Sequence, residues 1–216
     1  MKFKQERDDG RETKRHLLEC AGRLAAKKSF SLVTSKEICQ MAGCNLSAVN
    51  YHFGSREGLY KEMLLMVHQY LVNEDILREI AQKNISPRVK IEKLIDWLVP
   101  HLILTDAWIL KVWIRAIIDA TPENSDVFRG LLKAKGPWLF KIFMDYTGLE
   151  EDDTKLYSAI VGFMSPFFMS ALGLQNGIAY KDFFKLDTTL SSWIDDLKKF
   201  SFAGLEAFCI NKNNSL

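Results

Sequence analysis

The sequence predicts an all-α protein, with an N-terminal three-helix helix-turn-helix domain and a C-terminal helical domain. Three observations lead there. Apolar residues recur at i, i+3, i+4 and i+7 spacing along most of the chain, as expected of helices with one buried face. Strand-like alternation is missing, and one hairpin-type dipeptide, Asn176-Gly177, reads as a helix end. Helix-start and helix-stop residues punctuate the chain into short helices first and longer ones later.

Leu17, Ala21, Leu24 and Ala25 predict a first helix over 12–28, and "KKSF" closes it with cations that suit the negative end of the helix dipole. Thr34 and Glu37 stand three apart, as in a capping box, and open a short helix through Ile38 and Cys39 that ends near Gly43. Asn45 is suited to cap a third helix. There Val49 and Phe53 face inward, and Gly54 stops the helix. Ser55 caps a long fourth helix with Leu59, Met63, Met66, Val67 and Tyr70 in helical period. Three short helices and a long one, with a tight turn at "AGCN", give helix-turn-helix arithmetic. The predicted boundaries are 1–57 for this domain, 58–85 for a long connecting helix and 86–216 for the C-terminal domain.

Beyond "NISP" at 84–87 the composition changes, and 19 of the 25 aromatic residues lie between Trp97 and Phe208. Helices are predicted over 88–104, 106–120, 124–147, 153–176 and 188–210, separated by Pro122, Gly148 and the 177–187 stretch. Residues 157–180 carry no charge, enough length to span a bilayer. Ser158, Ser165, Ser170, Gln175 and Asn176 interrupt that run, and its upstream neighbour "LEEDD" is acidic. A helix covered by protein, without a membrane, is the expectation.

Charge is unevenly distributed. Residues 1–61 hold 12 Lys+Arg against 7 Asp+Glu, a net of +5, and the remainder hold 17 against 20, a net of −3. A basic end on a mildly acidic body suits contact with a polyanion. Cys20, Cys39, Cys44 and Cys209 form no C-x-x-C pair, and the polar first residues lack an apolar signal core, so a reducing cytoplasmic setting is expected. No Ser/His/Asp set and no glycine-rich phosphate loop is present, which argues against an enzyme, and no cofactor is expected. His16 and Cys20, four apart, read as a structural pair rather than metal ligands, and Cys39 and Cys44 as small apolar fillers.

A recognition helix shows polar groups to base edges on one face and packs with the other. In the third helix Ser47, Ala48 and Tyr51 point away from Val49 and Phe53, with Asn50 and His52 flanking. Asn50 can bond adenine N6 and N7 in bidentate fashion, while Tyr51 and His52 suit phosphate oxygens. Leu46 either packs inward or touches a thymine methyl, and Asn45 can cap, read a base, or do both. Arg56 lies in the next helix's first turn, where free N–H groups favour an anion.

The run "KRHLLECAGRLAAKKSFSLVTSKEICQMAGCNLSAVNYHFGSREGL", from Lys14 to Leu59, resembles the DNA-binding domain of TetR-family transcriptional regulators. The resemblance rests on "S-F-x-x-V-T-x-x-x-I-C-x-x-A-G", "Y-H-F" and "G-S-R-E-G-L". It implies a TetR-like homodimer that reads a palindrome in double-stranded DNA and is released by a small molecule. It also implies DNA contacts from Thr34, Ser35 and Lys36, and from Leu46, Ser47, Ala48, Asn50, Tyr51, His52 and Arg56. Asn50 stands where many members have Tyr, and Leu46 where they have Lys or Arg; here the chain is more similar to the CecR-like branch.

The aromatic-rich body is expected to hold a partly apolar effector, with Trp97, His101, Trp108, Trp113, Arg115, Trp138, Phe167 and Gln175 as candidate contacts. Small residues for close approach (Gly162, Ser165, Ser170, Gly204), with Phe163, Phe167, Trp193, Leu197 and Phe200 around them, make the 157–176 and 188–210 helices the expected dimer surface. The competing reading is a small-molecule-binding helical protein or enzyme without specific DNA binding.

Overall fold

The computed structural model describes residues 2–104, 106–119, 121–175 and 190–210, and among them every regular element is helical. Helix α1 spans Lys2–Ala25, a 3-10 turn spans Phe30–Leu32, and α2 (Ser35–Ala42), α3 (Ser47–Phe53) and α4 (Arg56–Leu71) follow. The body comprises α5 (Glu74–Gln82), α6 (Pro87–Leu104), α7 (Ala107–Asp119), α8 (Pro122–Thr147), α9 (Thr154–Gln175) and α10 (Leu190–Glu206). Asn176 and the 177–187 stretch lie outside the described residues.

Two compact units divide the chain differently from the predicted 1–57, 58–85 and 86–216. The first takes Met1–Leu71 with Asp106–Leu131, and the second takes Val72–Thr105 with Leu132–Leu216. Nor is 58–85 one helix: the chain breaks after Leu71, and Asn73 caps α5 by accepting from the N–H groups of Asp75 and Ile76.

In the first unit α1 packs on α2, α4 and α7, and α4 packs on α3 and α7. The core gathers Leu17, Ala21, Val33, Ile38, Val49, Leu59, Met63, Val67 and Leu110. Each large aliphatic side chain buried there contributes about 1.5–3 kcal/mol. The α1–α7 contact depends on Gly22, where a Cβ would stand 2.1 Å from the Trp108 ring. Trp108 is therefore a buried packing residue of this unit, with its indole N–H donating to Asp106 at 3.3 Å.

In the second unit α6 packs on α5 and α9, and α9 on α10. Phe143, Phe163, Phe167 and Phe202 form the aromatic core, Phe143–Phe163 and Phe163–Phe202 meeting edge to face at 5.5 and 5.2 Å. Phe163 and Phe167 thus point into the core of this unit, not outward as a dimer surface would need. Helix α9 is long and apolar enough to cross a membrane by length and composition. One of its faces is built into this core through Leu156, Ala159, Ile160, Phe163, Phe167 and Ala171, while Tyr157, Val161 and Met169 on the other stay exposed.

Candidate nucleic-acid interface

The interface is built from the caps outward. The Thr34 hydroxyl accepts from the Glu37 N–H at 3.2 Å, and the Glu37 carboxylate accepts from the Thr34 N–H at 2.8 Å, completing the predicted capping box. Lys28 donates to the same carboxylate at 2.7 Å. The Lys28 ammonium, followed by the Thr34 N–H and hydroxyl, holds the Glu37 carboxyl down at about 2. At the other end Gly43 takes φ +65°, and the N–H groups of Gly43 and Cys44 bond the carbonyls of Gln40 and Cys39, a Schellman turn that ends α2. Burial, with Cys44 beside it, pushes the Cys39 thiol up to about 11, so that side chain packs as an apolar filler.

Helix α3 begins one turn position later than expected. Leu46, with helical φ −59° and ψ −28°, stands at its N-cap without a side-chain bond, while Asn45 supplies only a backbone carbonyl to the Ala48 N–H. Asn45 is therefore not the side-chain cap. Leu46 is 59% exposed, which excludes the inward packing alternative. Val49 is buried, and Phe53 is half-buried with the Lys14 ammonium 5.2 Å from its ring centroid. Ser47, Asn50 and Tyr51 are exposed, Tyr51 at 83%, and Ala48 and His52 are half-buried. The Tyr51 and His52 rings meet edge to face at 4.8 Å.

The angle between α3 and α4 is fixed by a feature the apolar pattern does not reveal. Gly54 turns the chain at φ +74°, and the Ser55 hydroxyl caps α4 by accepting from the Gly58 N–H at 3.0 Å. A Cβ on Gly58 would lie 2.2 Å from the Phe53 carbonyl oxygen, so only glycine lets the two backbones approach this closely.

Arg56 is placed differently from a free anion-binding side chain. Its Nη1 donates to the Val33 carbonyl at 2.8 Å and, at 3.4 Å each, to those of Phe30 and Ser31, while Nε donates to Glu57. It ties α4 to the segment that leads into α2. Ser35 is half-buried and Lys36 exposed at the start of α2, and the Thr34 hydroxyl is committed to the cap.

The expected effector residues do not gather in one unit. Trp108, Trp113 and Arg115 lie on α7 in the first. In the second, Trp97 and His101 have ring centroids 4.6 Å apart, the His101 Nδ1 lies 2.9 Å from the Trp97 carbonyl, and Gln175 donates to the Leu102 carbonyl at 2.7 Å. Trp138 is half-buried on α8. Among the described residues no group of three or more His, Cys, Asp and Glu could hold a metal ion, and His16 and Cys20 meet at 3.8 Å as a pair.

Residues 17–63 match the family model of bacterial regulatory proteins, tetR family. The fold is TetR-like. A TetR-like transcriptional regulator from Rhodococcus sp. RHA1 superposes with TM-score 0.65 at 11% identity, over 89% of this chain and 95% of that one. GusR of Salmonella enterica follows at TM-score 0.59 and 13% identity, covering 90% and 96%. The TetR family transcriptional regulator PfmR of Thermus thermophilus gives 0.55 and 15%, covering 91% and 96%. No curated protein sequence matches the chain.

Proposed function

We propose that this chain is a sequence-specific, DNA-binding transcriptional regulator: a cytoplasmic, ligand-responsive homodimeric repressor that reads a near-palindromic operator. The observation that carries the reading is the outward face of α3, where Ser47, Asn50 and Tyr51 stand exposed on a helix locked by Val49 and the Phe53–Gly58 contact. Asn50 reads an adenine edge, and Leu46 meets a thymine methyl. Asn45, Ser47, Ala48, Tyr51, His52, Ser35 and Lys36 supply backbone and phosphate contacts, while Thr34 acts through the cap that sets the start of α2. Asn50 and Leu46 favour the CecR-like branch.

The exposed row of Tyr157, Val161, Gly162, Ser165 and Met169 on α9, and that of Phe200 and Gly204 on α10, support a dimer surface, since an apolar face of this kind is covered in solution. Ser170, Trp193 and Leu197 border it, half-buried. Trp97, His101 and Gln175, gathered around the C-terminal half of α6, are where a partly apolar effector would sit, with Trp138 beyond; Trp113 and Arg115 are outer candidates in the other unit.

In-vitro selection of bound duplexes tests the function directly. Two inverted half-sites about one or two helical turns apart are expected, and absence of any sequence enrichment at physiological salt would overturn the reading. Asn50→Ala is expected to relax preference at one position per half-site, costing about 1–3 kcal/mol there. An unchanged profile removes that role from Asn50. Arg56→Ala releases the three carbonyls ahead of α2 and should weaken binding to every duplex by the same factor, about tenfold. A changed base preference in that variant would count against a bracing role.

A further inference from the structure

Two of the chain's four cysteines, all free thiols, meet where α2 turns into α3. The Schellman geometry that ends α2 brings them together. The Cys44 N–H bonds the Cys39 carbonyl at 3.0 Å, and in such a turn these two positions share a side-chain contact. Here the contact is between sulfurs, since the Cys39 and Cys44 thiols hydrogen-bond each other. With their backbones bonded and their sulfurs touching, the pair lies within the Cα span that a disulfide bridges.

The two thiols are not equivalent. Cys39 is 3% exposed, and burial raises its pKa, which makes it a poor first nucleophile. Cys44 is half-buried and lines an open groove of about 530 Å³ between α1 and the turn, with Thr13 and His16 of α1 also in its walls. A small oxidant therefore meets Cys44 first, with Cys39 directly behind it. An accessible thiol beside a resolving partner is the arrangement that redox-sensing cysteines share. Cys20 on α1 is buried against His16, and Cys209 lies in the other unit.

An independent bond ties this pair to α3. Besides filling space, the Cys39 sulfur accepts from the Val49 N–H. Val49 is the third residue of α3, among the N–H groups that a helix leaves without an internal partner, and Leu46 at the N-cap makes no side-chain bond. A sulfur from α2 thus caps α3 at the residue whose buried side chain anchors it.

We infer that Cys39 and Cys44 are a modification site, where a hydroperoxide converts the dithiol into a disulfide that unseats α3. The Cys44 sulfur attacks the peroxide, an S–O bond forms as the O–O bond breaks, and water or an alcohol leaves with the thiol proton. The Cys39 sulfur then attacks Cys44, an S–S bond replaces the S–O bond, and the hydroxyl leaves as water with the Cys39 proton. Two electrons pass from the sulfurs to the peroxide. Closing the sulfurs to about 2.05 Å draws Cys44 against α2 and withdraws the Cys39 sulfur from the Val49 N–H, leaving a buried donor unpaired. The effect on DNA rests on the DNA-binding reading, whereas the disulfide does not.

The test treats the reduced full chain, without DNA, with a molar excess of hydrogen peroxide. Thiols are counted after denaturation, and peptide mapping locates any disulfide. The native chain and Cys20→Ser are expected to lose two thiols each and to yield a Cys39–Cys44 link that dithiothreitol reverses. Cys44→Ser, a change at a half-buried position, should form no disulfide and keep its thermal transition. No thiol loss in the native chain, a Cys20–Cys44 or intermolecular link instead, or equal thiol loss in Cys44→Ser would overturn the inference. On the selected duplex, peroxide should lower the native chain's affinity reversibly by at least about tenfold and leave Cys44→Ser unaffected. A mapped Cys39–Cys44 disulfide with unchanged affinity would overturn the unseating of α3. Thiol counting needs no operator, so the two readings fail separately.

Discussion

Asp145→Ala is expected to destabilise the second unit by about 3 kcal/mol, read as a lower urea midpoint at unchanged m-value. Lys90 is a buried ammonium on α6 that donates to the Ala81 carbonyl of α5 and to Asp145 of α8, each at 2.8 Å. Removing the carboxylate leaves a buried charge with a single carbonyl, and that uncompensated charge sets the cost. The Asp145 side chain is a quarter exposed, so the figure sits at the lower end for a broken buried pair. The double change Lys90→Met, Asp145→Leu removes both charges and should cost less than Asp145→Ala alone. A double variant as unstable as the single one would show that packing, not charge, dominates.

The same pair makes a pH prediction. Burial acts first on Asp145 and raises its pKa, but hydrogen bonds and charge from Lys90 and Lys141 prevail and hold it below the ordinary value. The stabilisation is therefore complete above the unfolded value of about 4 and is lost as pH falls through the folded pKa. The stability gap between the native chain and Asp145→Ala should stay level near neutrality and narrow in acid. A gap that widened in acid would contradict this assignment.

The helix ends were legible because their causes are local. Thr34 with Glu37, Ser55, Gly43 and Gly54 each act within a few residues, and the structure places them as the spacing predicts. The break at Val72–Asn73 was hidden because apolar period runs through it, and only the Asn73 cap marks a new helix. The assignment of α7 to the first unit was out of reach for a different reason. Periodicity says which face of a helix is buried, never against which partner, and Gly22 meets Trp108 across more than 80 residues. Gly22 itself was a signal, since a glycine inside an amphipathic helix weakens it unless something must approach closely. At the interface, the exposed set of Ser47, Asn50 and Tyr51 followed from helical spacing around Val49. Leu46 did not, because it precedes the first helical residue and so escapes that spacing. Arg56 was read as a free cation because the carbonyls that hold it belong to a loop whose path no local pattern dictates.

Phe200→Asp is expected to turn the proposed dimer into a monomer and to lower operator affinity by about 10³-fold. Phe200 is 69% exposed in the single chain, so the substitution removes nothing from the core and the monomer should keep its helical content and thermal transition. In a twofold dimer one surface meets itself, so each interface would bury two such carboxylates, and each costs several kcal/mol without a partner. Losing the dimer separates the two recognition helices, and the remaining half-site contacts bind with the strength of non-specific association. Sedimentation velocity reads the first effect and fluorescence anisotropy on the selected duplex reads the second. Lys199→Ala, an exposed change one residue away, should alter neither. A Phe200→Asp chain that still sediments as a dimer would move the interface off α10. A monomer that held its operator as tightly as before would mean that recognition does not require two copies, and that the palindrome is not the reason for the exposed apolar face.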